Sequence, residues 1–167
     1  MSKKANIKEN KLCLGKQEMI ERMAYFTERR GGTPMNGRVF GYLLVANPPL
    51  QDFYSICKNL DASKGAVSNA LKELINFGIV SFERKEGERK RYFYIDPEGW
   101  METAKVEVRS VTTFKQLIDD IIKIRGNDEF KEFRAQLEQF SDFYSVMSER
   151  LETFITDWEE EQKSKSA

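Results

Sequence analysis

Residues 130–158 carry the pattern that most restricts what this chain can become. Phe130, Phe133, Leu137, Phe140, Tyr144, Met147, Leu151, Phe154 and Trp158 follow one another at alternating spacings of three and four. That is the a/d repeat of a helix with an apolar seam, held for about four heptads. Phe143, Val146 and Ile155 widen the stripe. A helix of roughly 30 residues is about 45 Å long at 1.5 Å per residue. Leaving such a seam in water would cost about 1.5–3 kcal/mol for each large apolar side chain. A neighbouring helix of the same chain covers part of it, and a second copy of the chain is the natural cover for the rest. The alternative, a helical hairpin in a monomer, leaves less of the seam explained.

The partner helix is marked just upstream. Asp96-Pro97 reads as an N-cap followed by proline at the first helical position, and the segment runs to about Arg125. Ala104, Val111, Phe114, Ile118 and Ile121 recur at helical spacing, and Trp100 sits at its start, placed to pack on the preceding unit. Gly126-Asn127-Asp128 ends this helix and caps the last one.

Ahead of these rods, residues 62–78 read as one short helix with both ends marked. Ser63 is its N-cap and Gly78 its left-handed stop. At 100° per residue, Val67, Ala70, Leu71 and Leu74 share one side, while Ser68, Asn69, Lys72 and Asn76 share the other. Small polar and basic side chains on an outer face suit base edges and phosphates in a major groove. Residues 50–60 form a preceding short helix with Phe53, Ile56, Cys57 and Leu60 inward, and Asp61-Ala62 make a tight turn. Residues 79–84 alternate apolar and polar, residues 85–90 are a charged turn around Gly87, and residues 91–96 are rich in β-formers. Two short helices followed by a hairpin with a basic tip make a winged helix-turn-helix.

Further towards the N-terminus, residues 1–15 read as a basic, flexible arm. A helix follows from about Lys16 to Arg30, with Met19, Ile20, Met23 and Phe26 as its stripe, and Gly31-Gly32 end it. Asn36 is expected to cap a helix over 37–46 whose buried side is Val39, Phe40, Leu43 and Leu44. Arg38, at its start, has two readings, a carboxylate partner or a phosphate, with the structural role favoured. The expected organisation is thus an arm (1–15), a helix contributing to dimerisation (16–35), a DNA-binding domain (36–96), a helical dimerisation region (97–158) and a flexible tail (159–167). The fold class is mainly α with a small β-hairpin wing.

Composition removes other functions. The 167 residues contain no histidine, so the commonest general base and metal ligand are missing. There is no glycine-rich phosphate loop, and Cys13 and Cys57 are too far apart for a CxxC pair. An enzyme is not expected, nor a cofactor or a metal. No apolar run approaches the length of a membrane span, and no signal-peptide core follows the start, so the expectation is a cytoplasmic protein with no membrane partner. The net charge is zero but uneven. Residues 1–35 hold eight cationic side chains against four anionic, residues 36–96 nine against seven, residues 97–125 five against five, and residues 126–167 five against eleven. A nucleic-acid-facing half and an acidic end give that asymmetry.

In the DNA reading, Ser68, Asn69 and Lys72 face base edges, and Ser63, Lys64 and Gly65 lie at the helix N-terminus, where phosphate is favoured. Arg84, Lys85, Arg89, Lys90 and Arg91 form the wing and meet backbone or minor groove. Strand alternation would put Arg89 and Arg91 on one face and Lys90 on the other. Glu83, Glu86 and Glu88 dilute the wing charge. A rival of another class stays open: a winged-helix module that binds protein and uses the aromatic seam as a docking face.

Three segments also resemble a known family. They are residues 32–44 (GTPMNGRVFGYLL), residues 62–74 with Gly78-Ile79-Val80, and residues 87–94 (GERKRYFY). Together they are similar to the GbsR-like branch of the MarR-type regulators, over about residues 16–96, with the C-terminal helices alike only in outline. The resemblance implies a transcriptional regulator, usually a repressor, that binds a pseudo-palindromic operator in double-stranded DNA as a homodimer. Some relatives respond to small-molecule effectors. No ligand site is assigned here, because helical spacing already accounts for nearly all the aromatic residues as core.

Overall fold

The computed structural model describes the backbone of residues 2–126 and 130–166 and the side chains of residues 15–126 and 130–165. Its elements, in order, are α1 (Ser2–Arg29), α2 (Pro34–Val45), β1 (Gln51–Asp52), α3 (Phe53–Asn59), α4 (Lys64–Asn76), β2 (Val80–Glu83), β3 (Tyr92–Ile95), α5 (Pro97–Arg125) and α6 (Lys131–Ser166). The chain divides into two compact units, Met1–Met101 and Glu102–Ala167. No helix among the described residues is long and apolar enough to cross a membrane.

The first unit is built on α2, which packs on α1 and α4. Its core joins Ile20, Val39, Leu43, Ile56, Leu60, Val67, Leu71, Leu74, Val80 and Phe93. Two glycines on α2 let α1 come close. A side chain on Gly37 would run into the backbone at Met23 and Ala24, and one on Gly41 would press on Ile20 and Met23. This approach corrects the stripe expected on α1. Ile20 and Ala24 are buried, whereas Met19 and Phe26 are exposed, because α2 offers glycine backbone at a position one step round the helix. The backbone of α1 is already helical from Ser2, where a flexible arm to residue 15 was expected. Cys13 lies outside the described side chains.

Helix α2 starts earlier than expected. Thr33 is the N-cap, its Oγ1 accepting from the Asn36 amide at 3.2 Å, and Pro34 takes the first helical position. Asn36 is therefore inside the helix and buried, and its Nδ2 donates to the Glu73 carboxylate of α4. Tyr42 is buried in place of Leu44, which is exposed. Arg38 is structural: its Nε is 3.1 Å from Glu21 Oε1 and a terminal nitrogen donates to the Leu60 carbonyl at 3.1 Å.

The wing is a three-stranded antiparallel sheet in the order β1-β3-β2. The expected hairpin is present, with Phe82 opposite Phe93 and Val80 opposite Ile95. The two-residue β1 was read as helix. It is too short to show a period, and only its pairing with Phe93 and Tyr92 makes it a strand.

Helix α5 has the bounds the sequence marks, with Asp96 Oδ1 accepting from the Gly99 amide at 3.0 Å. Trp100 packs edge-on against Phe40 of α2, with ring centroids 5.2 Å apart. In the second unit, α5 and α6 run antiparallel. Lys105 meets Glu159 at 2.7 Å, Thr112 meets Ser148 and Glu152, Asp119 meets Ser141, and Arg125 lies over the Phe133 ring at 4.8 Å. Gly126 ends α5 with φ +57°; the expected caps Asn127 and Asp128 lie outside the described residues. Helix α6 continues to Ser166, past the point where a tail was expected.

This pairing divides the seam. Leu137, Tyr144, Met147, Leu151 and Trp158 are partly covered. Phe130, Phe133, Phe140 and Phe154 are exposed, Phe130 at 68% and Phe154 at 62%. The two most buried positions on α6 are Ser141 and Ser148, seven residues apart and outside the predicted set. Their hydroxyls bond to Asp119 and Thr112, so the hairpin seam alternates apolar and polar layers.

Candidate nucleic-acid interface

Helix α4 is set by its ends. Ser63 Oγ accepts from the Ala66 amide at 3.2 Å. Gly78, at φ +72°, closes the helix, with the Ile79 amide donating to the Leu74 carbonyl at 3.0 Å. Val67, Ala70, Leu71 and Leu74 are buried, as the wheel predicts. The opposite face is exposed at Ser63, Lys64, Gly65, Ser68, Asn69, Lys72 and Asn76.

Between this face and the wing lies an open cleft of about 670 Å³. Ser68, Lys72, Arg89, Lys90 and Arg91 all line it, over a floor that includes Leu71, Phe82 and Phe93. The alternation expected for the three wing cations is not what occurs. Residues 88–91 precede β3 and are not in a strand, so the two-residue period does not apply and all three reach one cleft. The Arg91 guanidinium lies over the Phe82 ring at 4.5 Å. Phe82 and Phe93 are cross-strand partners on the sheet face towards α4. Stacking an arginine there holds its charge at the cleft with an ordered side chain.

Not every candidate joins this cluster. Lys85 lies over the Tyr92 ring at 4.4 Å, and both line a second recess with Tyr42, Gln51 and Asp52. Asn69, Ser63, Lys64, Gly65 and Arg84 are exposed but line neither of these hollows.

Two residues of the cleft were not singled out by the sequence. Asp52 caps α3, accepting from the Tyr54 and Ser55 amides at 3.0 and 3.3 Å and from the Ser55 hydroxyl at 2.6 Å. These bonds, the hydroxyl foremost, hold its carboxyl below the ordinary 3.8, so it is an anion among cations. Tyr54 is 61% exposed on α3, and Lys64 Nζ of α4 lies 5.2 Å from its ring centre. The signal for Tyr54 was present: it is the aromatic residue left off the inward set of Phe53, Ile56, Cys57 and Leu60.

A helix pair, a capped outer helix and a three-stranded wing whose basic residues meet that helix in one cleft define a winged helix-turn-helix fold. A solved structure shares this fold. A crystal structure of a transcriptional regulator superposes with a TM-score of 0.69 at 24% identity, covering 87% of this chain and 99% of that one. The HTH-type transcriptional regulator MmpR5 of Mycobacterium tuberculosis (strain ATCC 25618 / H37Rv) is 29% identical over 110 residues, 66% of this chain and 67% of that protein. MepR, a transcription regulator of the Staphylococcus aureus multidrug efflux pump MepA, matches at a TM-score of 0.41 and 16% identity, over 84% of this chain and 96% of that one. These are regulators, not enzymes. No family model matches the chain.

Proposed function

We propose that this chain is a sequence-specific, DNA-binding transcriptional regulator that acts as a homodimer on a pseudo-palindromic operator, in the manner of the GbsR-like branch of the MarR-type regulators and most simply as a repressor. The observation that carries the reading is the convergence of Ser68 and Lys72 with Arg89, Lys90 and Arg91 on one cleft. A helix with that outer face fits a major groove, and cations beside it fit the flanking phosphates. Ser63, Lys64 and Gly65 serve the backbone at the start of α4, and Asn69 completes the base-reading face. Arg84 and Lys85 add a longer-range attraction from the wing. The likeness to the M. tuberculosis regulator supports the same class.

The dimer rests on the rods. With Phe130, Phe133, Phe140 and Phe154 exposed beside Phe143 and Val146, α6 presents an apolar face of aromatic rings that a second copy would cover. Two copies of α4 would then enter successive major grooves about 34 Å apart. A small-molecule effector acting by a shift between dimer states belongs to the same reading. So does a cytoplasmic location.

Selection of bound duplexes from a random DNA pool tests this. An enriched palindrome is the expected result, since it reports specificity and two-fold symmetry together. No enrichment of any duplex at low salt would overturn the DNA reading and favour a protein-docking module instead.

A further inference from the structure

We propose that Tyr54 and Lys64 form a phosphate clamp where α3 meets α4, so that the first helix of the pair contacts DNA as well as the second. The proposal rests on the DNA reading above and adds a contact to it. Tyr54 lines the same cleft as Ser68, Lys72 and Arg89. A tyrosine 61% exposed on a seven-residue helix is not there for the core. The neighbouring Phe53 meets it edge-on at 5.7 Å and is the ring that packs against the core. Lys64 Nζ stands 5.2 Å from the Tyr54 ring centre, across the turn that joins the helices. The stack restrains two long side chains from different helices next to each other before any ligand arrives, which lowers the ordering cost of a joint contact. The pair then offers one neutral O–H donor and one ammonium. A phosphodiester, with two acceptor oxygens and one charge, matches that combination. In paired-helix readers the first helix crosses the DNA backbone, which is where such a clamp would lie.

The two members predict different signatures. Tyr54→Phe keeps the ring and the stack and removes only the hydroxyl. It is expected to weaken binding to a selected duplex about tenfold, equally for matched and mismatched sequences. The slope of log affinity against log salt stays the same, because no charge is lost. Lys64→Gln is expected to reduce that slope by about 0.9, the share of one phosphate. Melting temperature is measured alongside, with Tyr54→Leu as the variant that also loses the stack. Unchanged affinity in Tyr54→Phe would overturn the clamp and leave the pair as a staple between helices, while binding by the unaltered chain would keep the DNA reading intact. Failure of the unaltered chain to bind any duplex would sink both.

Discussion

The backbone of Gly99, in the first turn of α5, lies against the carbonyl oxygen of Gly78, the residue that ends α4, so closely that a methyl group on Gly99 would overlap it. The Asp96 amide also donates to the Ile79 carbonyl at 2.9 Å. The end of α4 and the start of α5 are thus one joint, with the Trp100 ring on Phe40 beside it. Gly99→Ala is expected to destabilise the first unit by about 1–3 kcal/mol through overpacking, although alanine favours a helix. Urea unfolding of the two proteins decides it. Equal or greater stability of the alanine variant would refute the close approach.

Asn36 ties α2 to α4. Its buried amide donates to the Glu73 carboxylate, and nothing apolar at that site could do so. Asn36→Ala should cost about 1–2 kcal/mol, and Glu73→Gln less, since glutamine still accepts. A double-mutant cycle measures the coupling.

Ser63 caps the helix that carries the proposed base-reading face. Ser63→Ala should lower stability by about 1 kcal/mol, while Ser63→Asp should restore most of it. Against DNA the two variants part: the added carboxylate repels phosphate, so Ser63→Asp should bind worse than Ser63→Ala. Gel-shift titration at fixed salt reads the order.

Phe154 of α6 is exposed within one chain, so its replacement by glutamate should leave the fold of an isolated chain almost unchanged. In the proposed dimer it would bury a charge. Sedimentation equilibrium should then show a dissociation constant raised at least about tenfold. An unaltered association constant would remove Phe154 from the interface.

Acid should loosen the α5–α6 hairpin. The bond from Lys115, helped by the Ser141 hydroxyl, holds Asp119 below its ordinary 3.8, and Lys105 holds Glu159 below its ordinary 4.5. A carboxyl lowered in the folded state stabilises above its unfolded value and stops doing so as pH falls through its folded value. Hairpin stability should therefore be level near neutrality and fall below about pH 4.5. Both sites are at the surface and salt should shrink the effect. A glutamine at position 159 should flatten part of the acid limb in a pH series of thermal melts.

The chain's own order of residues determined the elements whose signals are local. Ser63 and Gly78 bracket α4, Asp96-Pro97 starts α5, and the side of α4 holding Val67, Ala70, Leu71 and Leu74 is buried, because caps and periods act within a few residues of the backbone they govern. Tertiary packing decided the rest. It made β1 a strand by pairing it with β3, and it moved the covered side of α1 onto Ile20 and Ala24 because Gly37 and Gly41 let that side approach. It drew Arg89, Lys90 and Arg91 to a single cleft where strand alternation would have parted them, and it sent Lys85 to Tyr92 instead. On α6 it placed Ser141 and Ser148 against α5 while Phe130 and Phe154 stayed exposed. A heptad pattern states that a helix has apolar residues to cover, but which of its flanks meets a given neighbour depends on the side chains that neighbour presents, here Thr112 and Asp119.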